Sequence, residues 1–298
     1  MVTINELQNR FGSENVNFYA GPGGFTAVKL TNAFGEAALT LYGAHVMEYT
    51  PAGARPVLWM SEKSMFTAGE PIRGGIPVCW PWFGPDVTGK FGGHGYARVS
   101  LWQMVSAVQT PAGETAVTLA LSDKDVDEKF TPQPFKLELT VTLGAELAVA
   151  LKISNTGTEK LAYSGALHSY FNVADSAAIK VHGLEDCEYS DKVLNVEGKQ
   201  AGAIIIDREI DRVYRNTTGV VKVEDPVFGR VIKVSKSGST STVVWNPWIE
   251  KSRKMPDFGD EEYHTMVCVE AANAPAAADD RVLAPGESAV LAQTFGIA

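Results

Sequence analysis

The chain has 298 residues, of which 45% are hydrophobic and 20% are charged, so it is long enough to bury a large core. Its formal net charge of -9 argues against nucleic acid or an anionic membrane surface as a partner. Three widely spaced cysteines, Cys79, Cys187 and Cys268, predict reduced thiols rather than a disulfide framework. The first ten residues lack the basic and apolar regions of a secretory signal, and no apolar run reaches the roughly 18 residues of a membrane span. We therefore expect a cytoplasmic protein.

The predicted elements are mostly strands that follow one short helix. Thr3-Ile4-Asn5-Glu6 fits a capping box that opens a helix, which Gly12 would end. The clearest strands lie in 135–156, where apolar and polar residues alternate on both sides of Gly144 and predict a hairpin. Similar apolar runs occur at 36–50, 98–110, 115–122, 219–223, 230–234, 242–245, 264–272 and 288–297.

Many short strands separated by Gly, Pro, Asn and Asp are typical of antiparallel sheets that pack face to face. No repeat, low-complexity tract or linker divides the chain, and the Ala-, Pro- and Asp-rich run at 274–280 is short enough to be a surface loop. We therefore predict an all-β protein with few short helices, in which residues 1–298 form a single antiparallel β-sandwich domain.

Two titratable side chains stand inside segments that otherwise have the pattern of buried strands, His168 within 166–172 and Glu270 within 267–270. A histidine and a carboxylate that meet in a cleft can donate one proton and accept another in the same step. The alternative is structural, because a histidine in an apolar run is often a core residue with a satisfied hydrogen bond. A buried glutamate is less common, since an unpaired buried carboxylate is costly.

Side chains alternate between the two faces of a strand, and this alternation assigns each candidate to a face. His168 would share its face with Tyr170, while Leu167 points to the other side. Glu270 would likewise share its face with Cys268. Each candidate can therefore project from one sheet surface while the opposite face anchors the core. The periodicity does not decide whether the two faces meet.

Two glycine-rich segments are candidates for binding loops. Segment 73–85 is too dense in Gly, Pro and Trp for regular structure, and its aromatic rings suit sugars while Arg73 suits a carboxylate or phosphate. The tryptophans could equally cap one end of the sandwich. Segment 92–98 offers His94 and Arg98 as donors, and the strand-like sequence after it argues against a nucleotide-binding loop. An exposed structural turn is the alternative for that segment.

The remaining polar segments give weaker signals. The mixed charges of 207–214 are typical of a solvated face, and 245–248 reads as a rigid aromatic loop followed by Lys251, Arg253 and Lys254. The histidines and cysteines show no metal-ligand spacing, and the sequence has neither a nucleophile elbow nor a phosphate-binding P-loop. We therefore expect no metal and no cofactor.

Taken together, six segments resemble the glucose-6-phosphate 1-epimerase branch of the aldose 1-epimerase (galactose mutarotase-like) superfamily. They are RGGIPVCWPWFGP from Arg73, HGYAR from His94, ALHSYFNV from Ala166, DRVY at 211–214, VVWNP from Val243 and VCVEAA from Val267. They occur in the family's order, the resemblance runs from about residue 36 to the C-terminus, and the first segment is highly specific.

The resemblance implies a large β-sandwich of the galactose mutarotase-like type and interconversion of the α and β anomers of hexose 6-phosphates. By position, His168 matches the family's general acid and Glu270 its general base. Arg73 and Arg98 match residues that hold the phosphate, and such local positive charge would reconcile a dianionic substrate with a negatively charged protein.

The resemblance also assigns two further contacts and shows one departure. His94 resembles a sugar contact of the wider superfamily, and Asp211 matches an acceptor for sugar hydroxyls. Some members carry Gln just before the histidine of the HG-AR loop, where this chain has Gly93, so a contact from that position is lost or replaced by water.

In the implied mechanism, Glu270 takes the proton of the C1 hydroxyl and His168 protonates the ring oxygen, after which C1 rotates and the ring closes on its other face. Because both must reach one sugar ring, we expect the two side chains roughly 5–8 Å apart. Two alternatives stay open: a non-catalytic sugar-phosphate sensor, which would not need both residues, and an epimerase of unphosphorylated aldoses, against which the arginine pair argues. We expect a monomer with a small-molecule substrate and with neither nucleic acid nor membrane as a partner.

Overall fold

The computed structural model describes residues 2–298, which form two short α-helices and many strands. The helices are α1 (Ile4–Phe11) and α2 (Trp248–Ser252). The strands are β1 (Val16–Ala20), β2 (Thr26–Asn32), β3 (Gly35–Thr40), β4 (Val46–Pro51), β5 (Val78–Cys79), β6 (Gln103–Gln109), β7 (Thr115–Ser122), β8 (Phe135–Leu143), β9 (Leu147–Asn155), β10 (Leu161–Tyr163), β11 (Gly165–Leu167), β12 (Tyr170–Asn172), β13 (Lys180–His182), β14 (Glu188–Asp191), β15 (Val196–Lys199), β16 (Ile210–Tyr214), β17 (Val221–Asp225), β18 (Arg230–Ser237), β19 (Ser241–Asn246), β20 (Met266–Asn273), β21 (Arg281–Leu283) and β22 (Ser288–Ile297).

The strands form antiparallel sheets, as the sequence predicts. One eight-stranded sheet, here called the site sheet, has the order β15-β14-β16-β19-β20-β11-β5, and β12 also pairs with β20. A second eight-stranded sheet, the covering sheet, has the order β13-β17-β18-β22-β9-β8-β7-β6. Strands β1 to β4 form a meander, and β10 pairs with β21. The all-β fold with few short helices is therefore confirmed.

The site sheet and the covering sheet share one apolar core. Val267 and Val269 of β20 belong to it and are at most 1% exposed. Phe171 of β12 meets Phe295 of β22 edge to face, with ring centroids 5.3 Å apart. Burying a side chain of this size contributes about 1.5–3 kcal/mol to folding. One face of the site sheet is thus committed to the core, and its other face is available for polar side chains.

Several local predictions are confirmed. The Thr3 side chain accepts a hydrogen bond from the backbone N–H of Glu6 at 3.2 Å, and α1 is capped at its C-terminal end by Gly12. Strands β8 and β9 form the predicted hairpin, and β7 and β22 begin and end at the predicted residues. No helix within residues 2–298 is long and apolar enough to cross a membrane.

Some predicted runs are interrupted. Segment 36–50 is divided by a turn into β3 and β4, and 264–272 begins as a 3-10 turn before β20. Segment 161–173 breaks into β10, β11 and β12, with His168 and Ser169 between the last two. The break arises because the Ser169 N–H turns back to the Leu167 carbonyl oxygen at 3.1 Å instead of continuing a ladder.

The prediction of a solvated face for 207–214 is correct for Asp207 and Arg208, which are exposed, and wrong for residues 210–214. Residues 210–214 form β16, which lies inside the site sheet between β14 and β19. Charged residues are tolerated there because Arg212 is paired: its Nε donates to Asp191 Oδ2 at 2.9 Å. The segment therefore helps to build the candidate site instead of facing bulk water.

Candidate active site

Four neighbouring strands place functional side chains in one row on the outer face of the site sheet. Asp211 of β16 pairs in register with Trp245 of β19, and Trp245 pairs with Cys268 of β20. Cys268 in turn pairs with Tyr170 of β12. Glu270 lies two residues beyond Cys268 and shares its face, as the alternation predicts. Trp245, Cys268 and Tyr170 form an apolar cluster separate from the main core.

His168 and Glu270 come together at this row. Nε2 of His168 lies 3.4 Å from Oε1 of Glu270, and the two residues are only 8% and 1% exposed. The expected separation of 5–8 Å is therefore wrong. The two side chains are neighbours on one sheet face, because β11 and β12 both pair with β20 on either side of His168. A substituent of a sugar ring can meet both atoms from the same side.

Aromatic rings surround the His168 imidazole. Tyr170 stacks on it with centroids 4.8 Å apart, and Trp245 meets it edge-on at 6.2 Å. The His94 ring lies 5.7 Å from it, also edge-on. The His168 backbone N–H donates to the Pro77 carbonyl oxygen at 3.1 Å, which ties the histidine to the first glycine-rich segment. These contacts leave the imidazole few orientations.

The buried position controls the protonation of the pair. Burial lowers the pKa of His168 to about 3, and the positive charges of Arg73 and Arg98 act in the same direction. Burial raises the pKa of Glu270 well above its usual range, and the negative charge of Asp211 adds to this effect. Burial therefore disfavours the charged form of both groups and favours a neutral imidazole beside a protonated carboxyl group.

The second glycine-rich loop delivers His94 to the same place. His94 adopts a left-handed backbone conformation with φ of 64°, which a turn of the loop requires. The backbone N–H of Gly84 donates to its Nδ1 at 3.4 Å, so the Nε2–H remains as a donor. Burial lowers the pKa of His94 well below its ordinary value, with a further contribution from Arg98. His94 is thus a neutral hydrogen-bond donor.

Arg73 is held in place by buried partners. Its NH2 lies 3.0 Å from Oδ2 of Asp257, and its NH1 donates to the Tyr170 hydroxyl at 3.0 Å. Burial alone lowers the pKa of Arg73, but the interactions with Tyr170 and Asp257 outweigh it and raise the value. Arg73 therefore braces the ring that stacks on His168, and its charge is largely compensated by Asp257.

Arg98 has no such compensation among the described residues. Its NH2 donates to the Gly93 carbonyl oxygen at 2.7 Å, and its Nε is buried without a hydrogen-bond partner. Burial lowers the pKa of Arg98, and nearby Arg73 adds to this. A half-buried guanidinium without a carboxylate is a suitable partner for an anion.

The first glycine-rich segment, 73–85, contains a position that only glycine fits. Gly75 has φ of 56°, and a Cβ there would clash with the Val46 carbonyl oxygen. Its own carbonyl oxygen accepts from the Tyr170 N–H at 2.9 Å. The tight turn thus brings the Arg73 loop alongside the strand that carries the stacked tyrosine.

Asp211 and Lys192 form the polar side of the site. Burial raises the pKa of Asp211, while the positive charge of Lys192 opposes the shift. The Lys192 Nζ lies 5.5 Å from the centroid of the Phe83 ring, and its backbone N–H donates to the Asp211 carbonyl oxygen at 2.8 Å. Sequence reasoning missed Lys192, because an exposed lysine in a turn gives no pattern.

The other predicted candidates contribute less to the site. Lys251 lies over Trp245, but its Nζ is paired with Glu209 at 2.7 Å. Arg253 is exposed and paired with Glu261, and Lys254 is exposed as well.

The predicted aromatic walls are only partly correct. Trp80 is buried in the main core against Phe135 and is no wall of the site. Trp245 ends a strand instead of standing in a loop, and it supplies one of the site's rings together with Tyr170 and Phe83. The tryptophan-rich segment therefore serves both the core and the site.

The arrangement supports proton transfer at a polar molecule. It joins an imidazole in contact with a carboxyl group, several aromatic rings, a second imidazole and a guanidinium without a carboxylate partner in one largely buried cluster of side chains. His168, Cys268 and Glu270 also offer nitrogen, sulfur and oxygen atoms that all lie within 4.8 Å of one another, which is compatible with a metal ion.

Comparison with known proteins agrees with this chemistry. The family model described as aldose 1-epimerase matches residues 26–295. A protein of Cenchrus ciliaris named "Putative glucose-6-phosphate 1-epimerase" is 36% identical over 262 residues, covering 84% of this chain and 78% of that protein. One with the same name from Escherichia coli K12 is 34% identical over 265 residues, covering 88% and 87%. The crystal structure of a "putative mutarotase (YeaD)" from Salmonella typhimurium superposes with a TM-score of 0.88 at 31% identity, covering 96% and 94%.

The fold and the site define a sugar isomerase that works by acid/base chemistry. The family model spans most of the chain, and both relatives share more than a third of their aligned residues with it. The chain belongs to the aldose 1-epimerase family.

Proposed function

We propose that this protein is a hexose-6-phosphate 1-epimerase that interconverts the α and β anomers of glucose 6-phosphate. The names of the relatives supply the substrate, and the site supplies groups suited to it. The carrying observation is the contact of 3.4 Å between Nε2 of His168 and Oε1 of Glu270. The reaction needs one group that gives a proton to the sugar and one that takes a proton from it. Two neighbouring groups that hold a single proton between them can fill both roles.

The reaction begins with a proton transfer inside the pair. In the free site burial lowers the pKa of His168 and raises that of Glu270, which favours placing the proton of the pair on Glu270. When the proton moves to Nε2, Glu270 becomes the base for the C1 hydroxyl and His168 becomes the acid for the ring oxygen. The bond between C1 and the ring oxygen then breaks, and the sugar opens to its aldehyde.

The second half reverses these transfers. Rotation about the C1–C2 bond presents the other face of the aldehyde to the C5 hydroxyl. His168 takes the proton of that hydroxyl as it attacks C1, and Glu270 returns a proton to the new C1 oxygen. The pair ends with the one proton it began with, so neither a redox step nor net proton uptake is required.

The phosphate would bind at Arg98, with Arg73 next to it. Arg98 lacks a carboxylate partner among residues 2–298, and its remaining donors suit a phosphate dianion. Both arginines lower the pKa of His168, as secondary causes after burial. A bound dianion would offset their charge and raise that pKa, which favours the imidazolium needed for catalysis. The substrate's phosphate therefore helps to prepare the acid.

His94 and Asp211 would orient the sugar. The neutral His94 offers its Nε2–H to a sugar oxygen close to His168. Asp211 lies beside the row of rings and offers carboxylate oxygens to sugar hydroxyls. Their opposite hydrogen-bonding roles would fix the ring so that C1 faces Glu270.

The test is anomer-exchange NMR on glucose 6-phosphate and on glucose, measured side by side with the same enzyme. The proposal expects faster exchange of glucose 6-phosphate by at least about tenfold, because one charge-assisted hydrogen bond contributes about 1.5–3 kcal/mol. Equal rates for both sugars would favour an epimerase of free aldoses. Binding without exchange would favour a sensor.

The cellular setting and assembly are part of the same proposal. We expect a cytoplasmic protein, since Cys79, Cys187 and Cys268 are all free thiols. We also expect a monomer. Sedimentation at several protein concentrations tests the monomer. A mass that rises toward twice that of one chain would contradict it.

A further inference from the structure

The catalytic pair has a third neighbour that the epimerase mechanism does not use. Cys268 is fully buried and shares the outer face of β20 with Glu270. Its Sγ, a ring nitrogen of His168 and a carboxylate oxygen of Glu270 all lie within 4.8 Å of one another. Three different ligand atoms thus converge on one point from two neighbouring segments of the site sheet.

The donor types and their spacing suit zinc. Zinc bonds of about 2.0–2.1 Å to nitrogen or oxygen and about 2.3 Å to sulfur place tetrahedral ligands about 3.3–3.8 Å apart. The contact of 3.4 Å between His168 and Glu270 already matches one such edge. The three donors lie within 4.8 Å of one another, so Sγ needs to approach by about 1.3 Å at most to complete the other edges.

Unused hydrogen-bonding capacity on one of the three donor residues is an independent observation. Oε2 of Glu270, the second oxygen of the carboxyl group that contacts His168, is buried without a hydrogen-bond partner. A buried carboxylate oxygen without a partner is costly, and coordination to a cation is one way to satisfy it. A bound cation would therefore supply the partner that the protein's own side chains do not give to Oε2 of Glu270.

The surrounding charges permit a cation. Asp257 compensates Arg73 at 3.0 Å, and Asp211 places a carboxyl group beside Glu270. Arg98 and Lys192 oppose cation binding, but neither contacts the three donors through a hydrogen bond. Direct bonds to sulfur, nitrogen and oxygen act at shorter range than these charges.

We propose that His168, Cys268 and Glu270 form an inhibitory zinc site inside the active site. The metal binds the carboxylate oxygen and the ring nitrogen that the epimerase reaction uses, so zinc and sugar exclude each other. Binding releases the thiol proton and the proton shared by the pair. The site itself depends only on the three donors, whereas its effect on catalysis rests on the proposed function.

Cobalt(II) is the spectroscopic probe for the site. Titration of the purified protein without sugar is expected to give thiolate-to-cobalt charge-transfer absorption in the near ultraviolet, which added zinc abolishes. Cys268→Ala is expected to lack this absorption. Cys79→Ala is the matched control, since Cys79 is also a buried free thiol on the same sheet but lies outside the donor set. Cys187→Ala removes the remaining thiol. If Cys268→Ala does not fold, Cys268→Ser takes its place.

Exchange NMR provides the second readout. The exchange rate of each protein on glucose 6-phosphate is measured over a series of zinc concentrations and compared with its own zinc-free rate. Wild type and Cys79→Ala are expected to lose exchange and to recover it with a chelator. Cys268→Ala should need about 10–100-fold more zinc for the same loss, at least the change seen when a supporting residue of a metal site is removed.

Two results would overturn the zinc site. One is a wild-type protein without thiolate-to-cobalt absorption, and the other is an absorption that persists unchanged in Cys268→Ala. A zinc-free enzyme without any exchange activity would instead contradict the proposed function, and the cobalt titration would still decide the metal site.

Discussion

Arg98 donates a 2.7 Å hydrogen bond to the carbonyl oxygen of Gly93, the residue directly before His94. One guanidinium is thereby attached to the loop that carries a candidate sugar contact, while its remaining donors are free for an anion. The proposed phosphate site and the proposed sugar contact are thus parts of one local structure. Binding at one is expected to affect the geometry of the other.

Replacing Arg98 separates phosphate binding from loop support. Arg98→Ala should weaken binding of glucose 6-phosphate about 10- to 150-fold, the equivalent of a charge-assisted hydrogen bond of about 1.5–3 kcal/mol. Glucose should be affected much less, because it never meets that charge. KM values for both sugars provide the measurement, and Arg253→Ala, which removes an exposed ion-paired arginine, is the control. Equal losses for the two sugars would show that Arg98 only supports the loop.

Asp257 is expected to matter for stability through Arg73. Asp257→Ala leaves a guanidinium that is only about a fifth exposed without its carboxylate. Breaking a buried pair costs about 3–5 kcal/mol, and the partial exposure of Arg73 places this case at the lower end. Urea denaturation measures the change, with exposed Asp260→Ala as the matched control. A midpoint equal to that of wild type would contradict a structural role for the pair.

Features of the site that are set within one strand could be predicted from the sequence, whereas features that depend on contacts between distant segments could not. The shared face of Cys268 and Glu270 follows from alternation within one strand, so it could be predicted. The contact of His168 with Glu270 depends on the register of β11 and β12 against β20, which periodicity does not contain. For this reason the expected separation of 5–8 Å between the two side chains differs from the observed 3.4 Å between Nε2 of His168 and Oε1 of Glu270.

The ion pairs of charged residues are still harder to predict from the sequence. Arg73 was interpreted as a phosphate ligand, and its main partner, Asp257, lies 184 residues further along the chain. Lys192 faces the site from a turn that has no motif. The composition of segment 73–85 predicts a loop with aromatic rings, but it does not distinguish a core ring such as Trp80 from a wall of the site.

His45 gives the protein a pH-dependent stability that is separate from catalysis. Burial lowers the pKa of His45 to about 3, so the folded state binds fewer protons than the unfolded state below pH 6.5. Stability from this residue is therefore complete above pH 6.5 and is lost as the pH falls toward about 3. The expected loss is about 1.4 kcal/mol per pH unit for one buried histidine.

Urea unfolding of wild type and His45→Asn at pH 7, 6 and 5 gives the free energy of unfolding of each protein as a function of pH. The difference between the two slopes is the contribution of His45. His264→Asn is the control, because His264 is partly exposed. Parallel pH dependences for wild type and His45→Asn would contradict the assignment to His45. His168 and Glu270 are present in both proteins, so their own contributions to the pH dependence cancel from the comparison.

The central claim is that Glu270 is the base and shares its proton with His168. Glu270→Gln is a suitable change, because the amide closely resembles the protonated carboxyl group that burial favours in the free site. The variant should therefore fold and bind glucose 6-phosphate like wild type. Glu261→Gln, which changes an exposed glutamate, is the matched control.

Anomer-exchange NMR on glucose 6-phosphate with Glu270→Gln tests this claim most directly. The exchange rate should fall by about 10²–10⁴, the usual contribution of a positioned general base, while binding of the sugar phosphate is retained. Glu261→Gln should exchange at the wild-type rate. A folded, substrate-binding Glu270→Gln protein that exchanges anomers as fast as wild type would contradict the account.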